Sequence, residues 1–198
     1  MLDLTLALQT AREAAAASCA VLLKHRATLL SKGPASFGVR TKKHASDFVS
    51  IVDEQAQAAI IDVLHREFPE HRFLAEEEGA DAIGETTCPY RWIIDPLDGT
   101  MNFLRGNPAF GTIIALEKGD EQILGVMTLP VLQTSFAGGK GLGVTLNDKP
   151  VDALRATQSL RDSVISINIF NQRQPHGNGE VCIPVPPDAY MKNYGCAA

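Results

Sequence analysis

The sequence predicts an α+β fold in which two long helices pack on a largely antiparallel sheet. Three observations lead there: the chain opens with a long alanine-rich stretch of helical periodicity, a second helical stretch follows, and from Phe110 onward short β-forming runs alternate with turn signals. Helices that precede the strands, rather than alternate with them, indicate layered α+β architecture and not a βαβ series. With 198 residues, 45% of them hydrophobic, the chain is long enough to bury one core.

In the first stretch Leu4, Leu8, Ala11, Ala15, Cys19, Leu22 and Leu29 recur at helical steps, so residues 2–30 read as one amphipathic helix with a small-residue face for close packing. Gly33 and Pro34 end it. "DFVSIV" reads as a short extended run. Asp53 then stands as the N-cap of a second helix, with Ala56, Ile60, Val63, Leu64 and Phe68 on its buried face and Pro69 as its stop. "HRFLAEEEG" and "YRWIIDPLDG" share one plan, an apolar strand that ends in carboxylates. The run from Phe110 to Val151 is an antiparallel meander turning at "KGDE", "GGKG" and "NDKP". "SVISINIF" is a further candidate strand, and the Pro-, Gly- and Asn-rich remainder reads as an irregular tail.

Composition narrows the function classes. Eighteen basic against 23 acidic residues give a net charge of −5 with no basic stripe, which argues against a nucleic-acid partner. Cys19, Cys88, Cys182 and Cys196 form no CxxC pair and suit reduced, inert thiols of a cytoplasmic protein. Asp3, Arg12 and Glu13 interrupt the apolar N-terminus, against both a signal peptide and a membrane span of about 20 residues.

The chemistry concentrates in "WIIDPLDGT". Two aspartates at a strand end repel each other and lose hydration unless a cation or water reaches both. Mg²⁺ takes carboxylate, carbonyl and water oxygens, so Asp95, Asp98 and the Leu97 carbonyl form a suitable half-shell. Pro96 fixes its own φ and helps aim the two side chains. Gly99 and Thr100 begin a short helix whose free N–H groups suit a phosphate. The acidic run Glu76, Glu77, Glu78 ends the neighbouring apolar strand and can add a ligand. Taken singly, "DG" is most often a turn and an acidic triplet a solvated surface. Their shared place at strand ends favours a metal site. His25, His44, His65, His71 and His176 show no ligand spacing and read as surface or helix-face residues. No G-x-S-x-G elbow occurs, and "AGGKGLG" lacks the ending of a P-loop.

These motifs resemble the inositol monophosphatase family of Mg²⁺-dependent, lithium-sensitive phosphatases. "WIIDPLDGTMNF" fits that family's W-x-[IV]-D-P-[IL]-D-G-T-x-N-F signature throughout, "FLAEEEG" its Glu-Glu element, and "KKHASDFVSIVDEQ" its Lys, Asp-x-Val-Thr, Asp segment. Small departures are Ala75 in place of Gly and Ser50 in place of Thr. The resemblance implies a layered sugar-phosphatase-like fold. It also implies that Glu76, Asp95 and the Leu97 carbonyl hold a first Mg²⁺, that Asp95 and Asp98 contribute to a second, and that Glu76 and Thr100 orient the attacking water. Asp98, Gly99 and Thr100 would contact the substrate, with Lys42, Asp53 and Glu77 standing behind them. The implied reaction is hydrolysis of inositol monophosphate, or a similar small polyol or sugar phosphate, by metal-activated water.

The similarity runs to about Val151, so residues 1–151 are expected to form the metal- and phosphate-binding domain and 152–198 a shortened remnant of a second α/β half. The family's Trp-Asp-x-Ala-Ala-Gly motif is absent, the chain having one tryptophan, Trp92. An alternative expectation is therefore a member that binds metal or a partner without turnover. A sheet face left open by such a remnant would favour a homo-oligomer.

Overall fold

An aspartate fixes where the first helix begins. Asp3 Oδ1 accepts from the backbone N–H groups of Thr5 and Leu6 at 2.9 and 3.2 Å, satisfying two of the amide donors a helix start leaves orphaned. Helix α1 then runs Leu4–Lys32. Its buried stripe is Ala7, Ala11, Ala14, Ala15, Cys19, Leu22 and Leu29, joined by two polar residues, Thr10 and Ser18. Thr10 is accounted for locally, since its hydroxyl donates to the Leu6 carbonyl at 2.9 Å.

The computed structural model describes residues 2–32, 40–41, 48–49, 51–77 and 79–152. They lie in one unit, Met1–Asp152; a second, Ala153–Ala198, falls outside the described residues, and with it the candidate strand "SVISINIF", His176, Cys182, Cys196 and Asp188. Lys42, His44, Ser50 and Glu78 also fall outside them. A two-residue ladder joins β1 (Arg40–Thr41) to β2 (Phe48–Val49). Helix α2 spans Ile51–Glu67 and buries Val52, Asp53, Ala56, Gln57, Ile60 and Leu64. Asp53 is therefore not the N-cap expected of it. Ile51 and Val52 are already helical, which places Asp53 inside the first turn and 1% exposed.

The sheet is a near-continuous meander: β3 (Arg72–Ala75), β4 (Tyr90–Asp98), β5 (Gly111–Lys118), β6 (Glu121–Leu129), β7 (Thr134–Gly139), β8 (Gly143–Leu146) and β9 (Lys149–Pro150) lie side by side in chain order. All pairs are antiparallel except β3 with β4. Helix α3 (Thr100–Leu104) interrupts the walk between β4 and β5. This is the α+β architecture expected. Alternation along the strands turns Trp92, Ile94, Ile114, Leu116, Leu124, Val126 and Ala137 toward α1 and α2, where they form one core with the alanine stripe, Ile60 and Leu64. The opposite face carries a cross-strand ion pair, Arg91 to Glu117, at 2.5 Å between register partners. A second core of Leu22, Leu29, Val52, Ala56, Leu97, Phe103 and Phe110 lies beneath the C-terminal end of β4.

His71 corrects a sequence expectation. It is 6% exposed, stacked between Phe68 and Tyr90 at centroid distances of 4.8 and 5.0 Å, and its Nδ1 has no hydrogen-bond partner. Burial lowers its pKa from 6.5 to about 4, because an imidazolium cannot be hydrated there. His65, by contrast, is exposed. Burial also raises the Cys19 thiol to about 11, which removes its nucleophilic form at neutral pH. No helix among the described residues is long and apolar enough to cross a membrane.

Candidate metal and phosphate site

Parallel pairing of β3 with β4 explains why the two acidic motifs meet. Ala75 is the register partner of Ile94, so the next residue on each strand, Glu76 on one and Asp95 on the other, emerges at the same corner. There the carboxyl of Asp95 hydrogen-bonds Glu76 and feels the charges of Glu76 and Asp98. Desolvation first, then these two carboxylates, raise its pKa from 3.8 to about 7, against a smaller lowering by the Leu97 N–H. Its Oδ1 is buried without a hydrogen-bond partner.

A β-bulge shapes the turn. β4 pairs regularly with β5 up to Asp95 and Ile113, then slips by one residue to the pair Asp98 and Gly111. The slip buries Pro96 and Leu97 consecutively and takes the Pro96 carbonyl out of the ladder. Two hydroxyls replace the lost partner: Thr112 donates to the Pro96 carbonyl at 3.0 Å, and Ser18 Oγ lies 2.7 Å from Thr112 Oγ1 and 3.4 Å from the same carbonyl. Ser18 and Thr112 are both fully buried. Beyond the bulge, Gly99 adopts φ +84, the left-handed conformation glycine tolerates, and turns the chain into α3. The Thr100 hydroxyl then lies 3.2 Å from the Leu97 carbonyl and 3.3 Å from Asp53 Oδ1.

Of the residues singled out from the sequence, the fold thus gathers Glu76, Asp95, Leu97, Asp98, Gly99, Thr100, Asp53 and Glu77 at one end of β3 and β4. Sequence reasoning missed three others: Ser18, Thr112 and Gln57. The signal for each was a polar residue on an otherwise apolar face.

Among the described residues no three His, Cys, Asp or Glu side chains form a ready-made metal cage. An ion here would take a few carboxylate or carbonyl oxygens and keep waters, the usual habit of Mg²⁺. The donor set fits such a group. The orphaned Asp95 Oδ1, on a carboxyl whose burial and carboxylate neighbours raise its pKa to about 7, is an atom that a hard cation would satisfy.

The sequence profile of the inositol monophosphatase family matches residues 3–198. The chain belongs to that family. It is 38% identical over 142 residues to the fructose-1,6-bisphosphatase/inositol-1-monophosphatase of Aquifex aeolicus, covering 65% of this chain and 53% of that protein. Among solved structures, the extragenic suppressor protein SuhB from Bartonella henselae superposes with a TM-score of 0.66 at 31% identity, covering 73% of this chain and 53% of that one. The inositol monophosphatase of an Anabaena species gives 0.62 at 32% identity, covering 78% and 52%. The chain spans about half the length of the curated relatives it matches. In this inositol monophosphatase family member, the motif that carried the resemblance is the bulged turn of β4.

Proposed function

We propose that this chain supplies metal and phosphate binding for Mg²⁺-dependent hydrolysis of inositol monophosphate or a similar small polyol or sugar phosphate. The observation that carries the reading is Asp95: a buried carboxyl beside Glu76 and Asp98, with one oxygen unpartnered, at the end of a family signature strand. Membership of the inositol monophosphatase family and the similarity to proteins named as phosphatases support the reaction class.

In this reading Glu76, Asp95 and the Leu97 carbonyl would hold a first Mg²⁺, and Asp95 and Asp98 would contribute to a second. Bound there, the ions would supply Lewis-acid neutralisation of phosphate charge and make water a better nucleophile. The remaining tasks fall to side chains of the chain itself. Asp53, in the first turn of α2, holds the Thr100 hydroxyl beside the Leu97 carbonyl. Thr100 and Glu76 orient the attacking water, while the N–H groups of Gly99 and Thr100 face the phosphate. Helix α3 has five residues, so the phosphate would be met by these local donors and only weakly by a helix dipole.

The test is phosphate release from inositol 1-phosphate with and without millimolar Mg²⁺, beside Asp95→Asn. Metal-dependent release that disappears in the variant is expected. Mn²⁺ binding with no release under any condition would replace this reading with metal binding without turnover.

A further inference from the structure

Beyond its last ladder pair at Ala75, the segment carrying Glu76 and Glu77 leaves the sheet, and its backbone must find partners elsewhere. Gln57 supplies them. Its side-chain Nε2 donates to the Glu77 carbonyl at 3.0 Å, and its Oε1 accepts from the Glu77 N–H at 2.9 Å. One planar amide thus engages both polar groups of one residue, as a neighbouring strand would. The primary amides of asparagine and glutamine set a donor and an acceptor side by side on one flat group, and a carboxylate or a hydroxyl cannot do both jobs at once in this geometry. The orientation of the amide is fixed by its partners, because the Glu77 N–H only donates and its carbonyl only accepts.

Gln57 is 5% exposed and lies on the stripe of α2 that otherwise buries Val52, Ala56, Ile60 and Leu64. A polar amide there costs desolvation unless both its ends are bonded, and here both are. The stripe has a second polar member, Asp53, four residues earlier, which reaches Thr100. One face of one helix therefore grips the two flanks of the carboxylate cluster, the Glu77 backbone on one side and Thr100 on the other. The strap needs a grip, because Glu76 must stay beside Asp95, whose carboxyl it meets outside the sheet.

We propose that Gln57 is a positioning residue that holds the Glu76–Glu77 strap against the cluster, so that the Glu76 carboxylate is presented to a cation at low reorganisation cost. The proposal rests on the metal reading given above. Gln57 touches neither ion nor substrate; it acts through the backbone of Glu77.

The experiment compares the wild-type chain, Gln57→Met and Gln57→Glu. Methionine keeps length and helix propensity but removes both hydrogen bonds, and glutamate keeps an acceptor for the Glu77 N–H while repelling its carbonyl. Two readouts are taken: amide hydrogen exchange at residues 76 and 77 in the metal-free chain, and Mn²⁺ affinity by electron paramagnetic resonance. Loss of a partner that orients a ligand typically weakens metal binding by about 10- to 100-fold. Gln57→Met is expected to speed Glu77 exchange at least about tenfold and to fall in that affinity range, with Gln57→Glu in between. Unchanged Glu77 exchange in both variants would overturn the clamp itself. Faster exchange with wild-type Mn²⁺ affinity would overturn the positioning role and leave a purely structural bond. A wild-type chain that binds no Mn²⁺ would remove the metal reading and this proposal with it, an outcome distinct from equal binding by wild type and variant.

Discussion

Asp95 is the residue at which repulsion is concentrated. Burial first, and then its carboxylate neighbours, raise its pKa to about 7, and its Oδ1 has no donor, so in the absence of a cation the carboxylate is a source of strain in the electrostatic sense. Asp95→Asn removes that charge while keeping an acceptor for the Leu97 N–H. At pH 7.5 in chelator, calorimetry is expected to show the variant melting a few degrees higher than the wild type, an increment of about 1 kcal/mol. Mn²⁺ affinity should fall more than about tenfold in the same protein. A variant that melts lower in chelator would mean that the cluster is not repulsive. A second residue-scale test concerns Thr112, whose hydroxyl serves the carbonyl that the bulge strands. Thr112→Val keeps the shape but removes the 3.0 Å donor to the Pro96 carbonyl and leaves it the longer Ser18 contact at 3.4 Å, a loss of about 1–3 kcal/mol. Thr112→Ser keeps the hydroxyl and gives up one buried methyl, about 1 kcal/mol. Urea midpoints should therefore order wild type, serine, valine. Equal midpoints for the two variants would deny the hydroxyl its role.

Elements were legible wherever their periodicity was governed by apolar packing. The alanine stripe announced α1, the Phe110–Val151 run announced the meander and all its turns but the one between β6 and β7, and the two acidic strand ends announced their meeting. What the sequence concealed were the polar members of buried faces. Asp53 read as a cap because aspartate before an apolar stretch usually is one, yet the helix begins two residues earlier and buries it. His71 read as surface because a lone histidine carries no period of its own, and it is the fold that brings Phe68, Tyr90 and Trp92 around it. The bulge was equally hidden, since "DPLD" does not reveal which residue slips. Opposite Asp98 the register places a glycine, Gly111. A β-carbon there would lie 2.4 Å from the Thr128 carbonyl oxygen on β6, a backbone atom that cannot rotate away. Gly111→Ala must therefore spread β5 from β6, at a cost of about 1–3 kcal/mol. A wild-type denaturation midpoint in this variant would show that the sheet absorbs the methyl freely.

Across the whole described unit, β3 and β4 carry opposite chemistries at their two ends. Their C-terminal ends gather carboxylates that lose stability as they ionise together, whereas His71, just before β3, and Tyr90, at the start of β4, build an aromatic end that resists gaining charge. The second effect sets how the chain meets acid. Well above pH 6.5 His71 is neutral whether the chain is folded or not, and it makes no pH-dependent contribution. Between pH 6.5 and about 4 the unfolded chain binds a proton that the folded chain refuses, so folding stability must fall as pH drops through that window. Glu70 and Glu85 line the same hollow as His71, and Lys118 sits over the Tyr90 ring, 5.7 Å from its centroid; the carboxylates would favour the imidazolium, yet desolvation prevails. His71→Phe keeps an aromatic ring between Phe68 and Tyr90 and cannot titrate. Urea midpoints measured at pH 7 and pH 4.5 should therefore drop further for the wild type than for the variant. Because Glu70, Glu85 and Asp95 are common to both proteins, the difference between the two drops isolates the histidine, and equal drops would place its proton uptake outside the folding equilibrium.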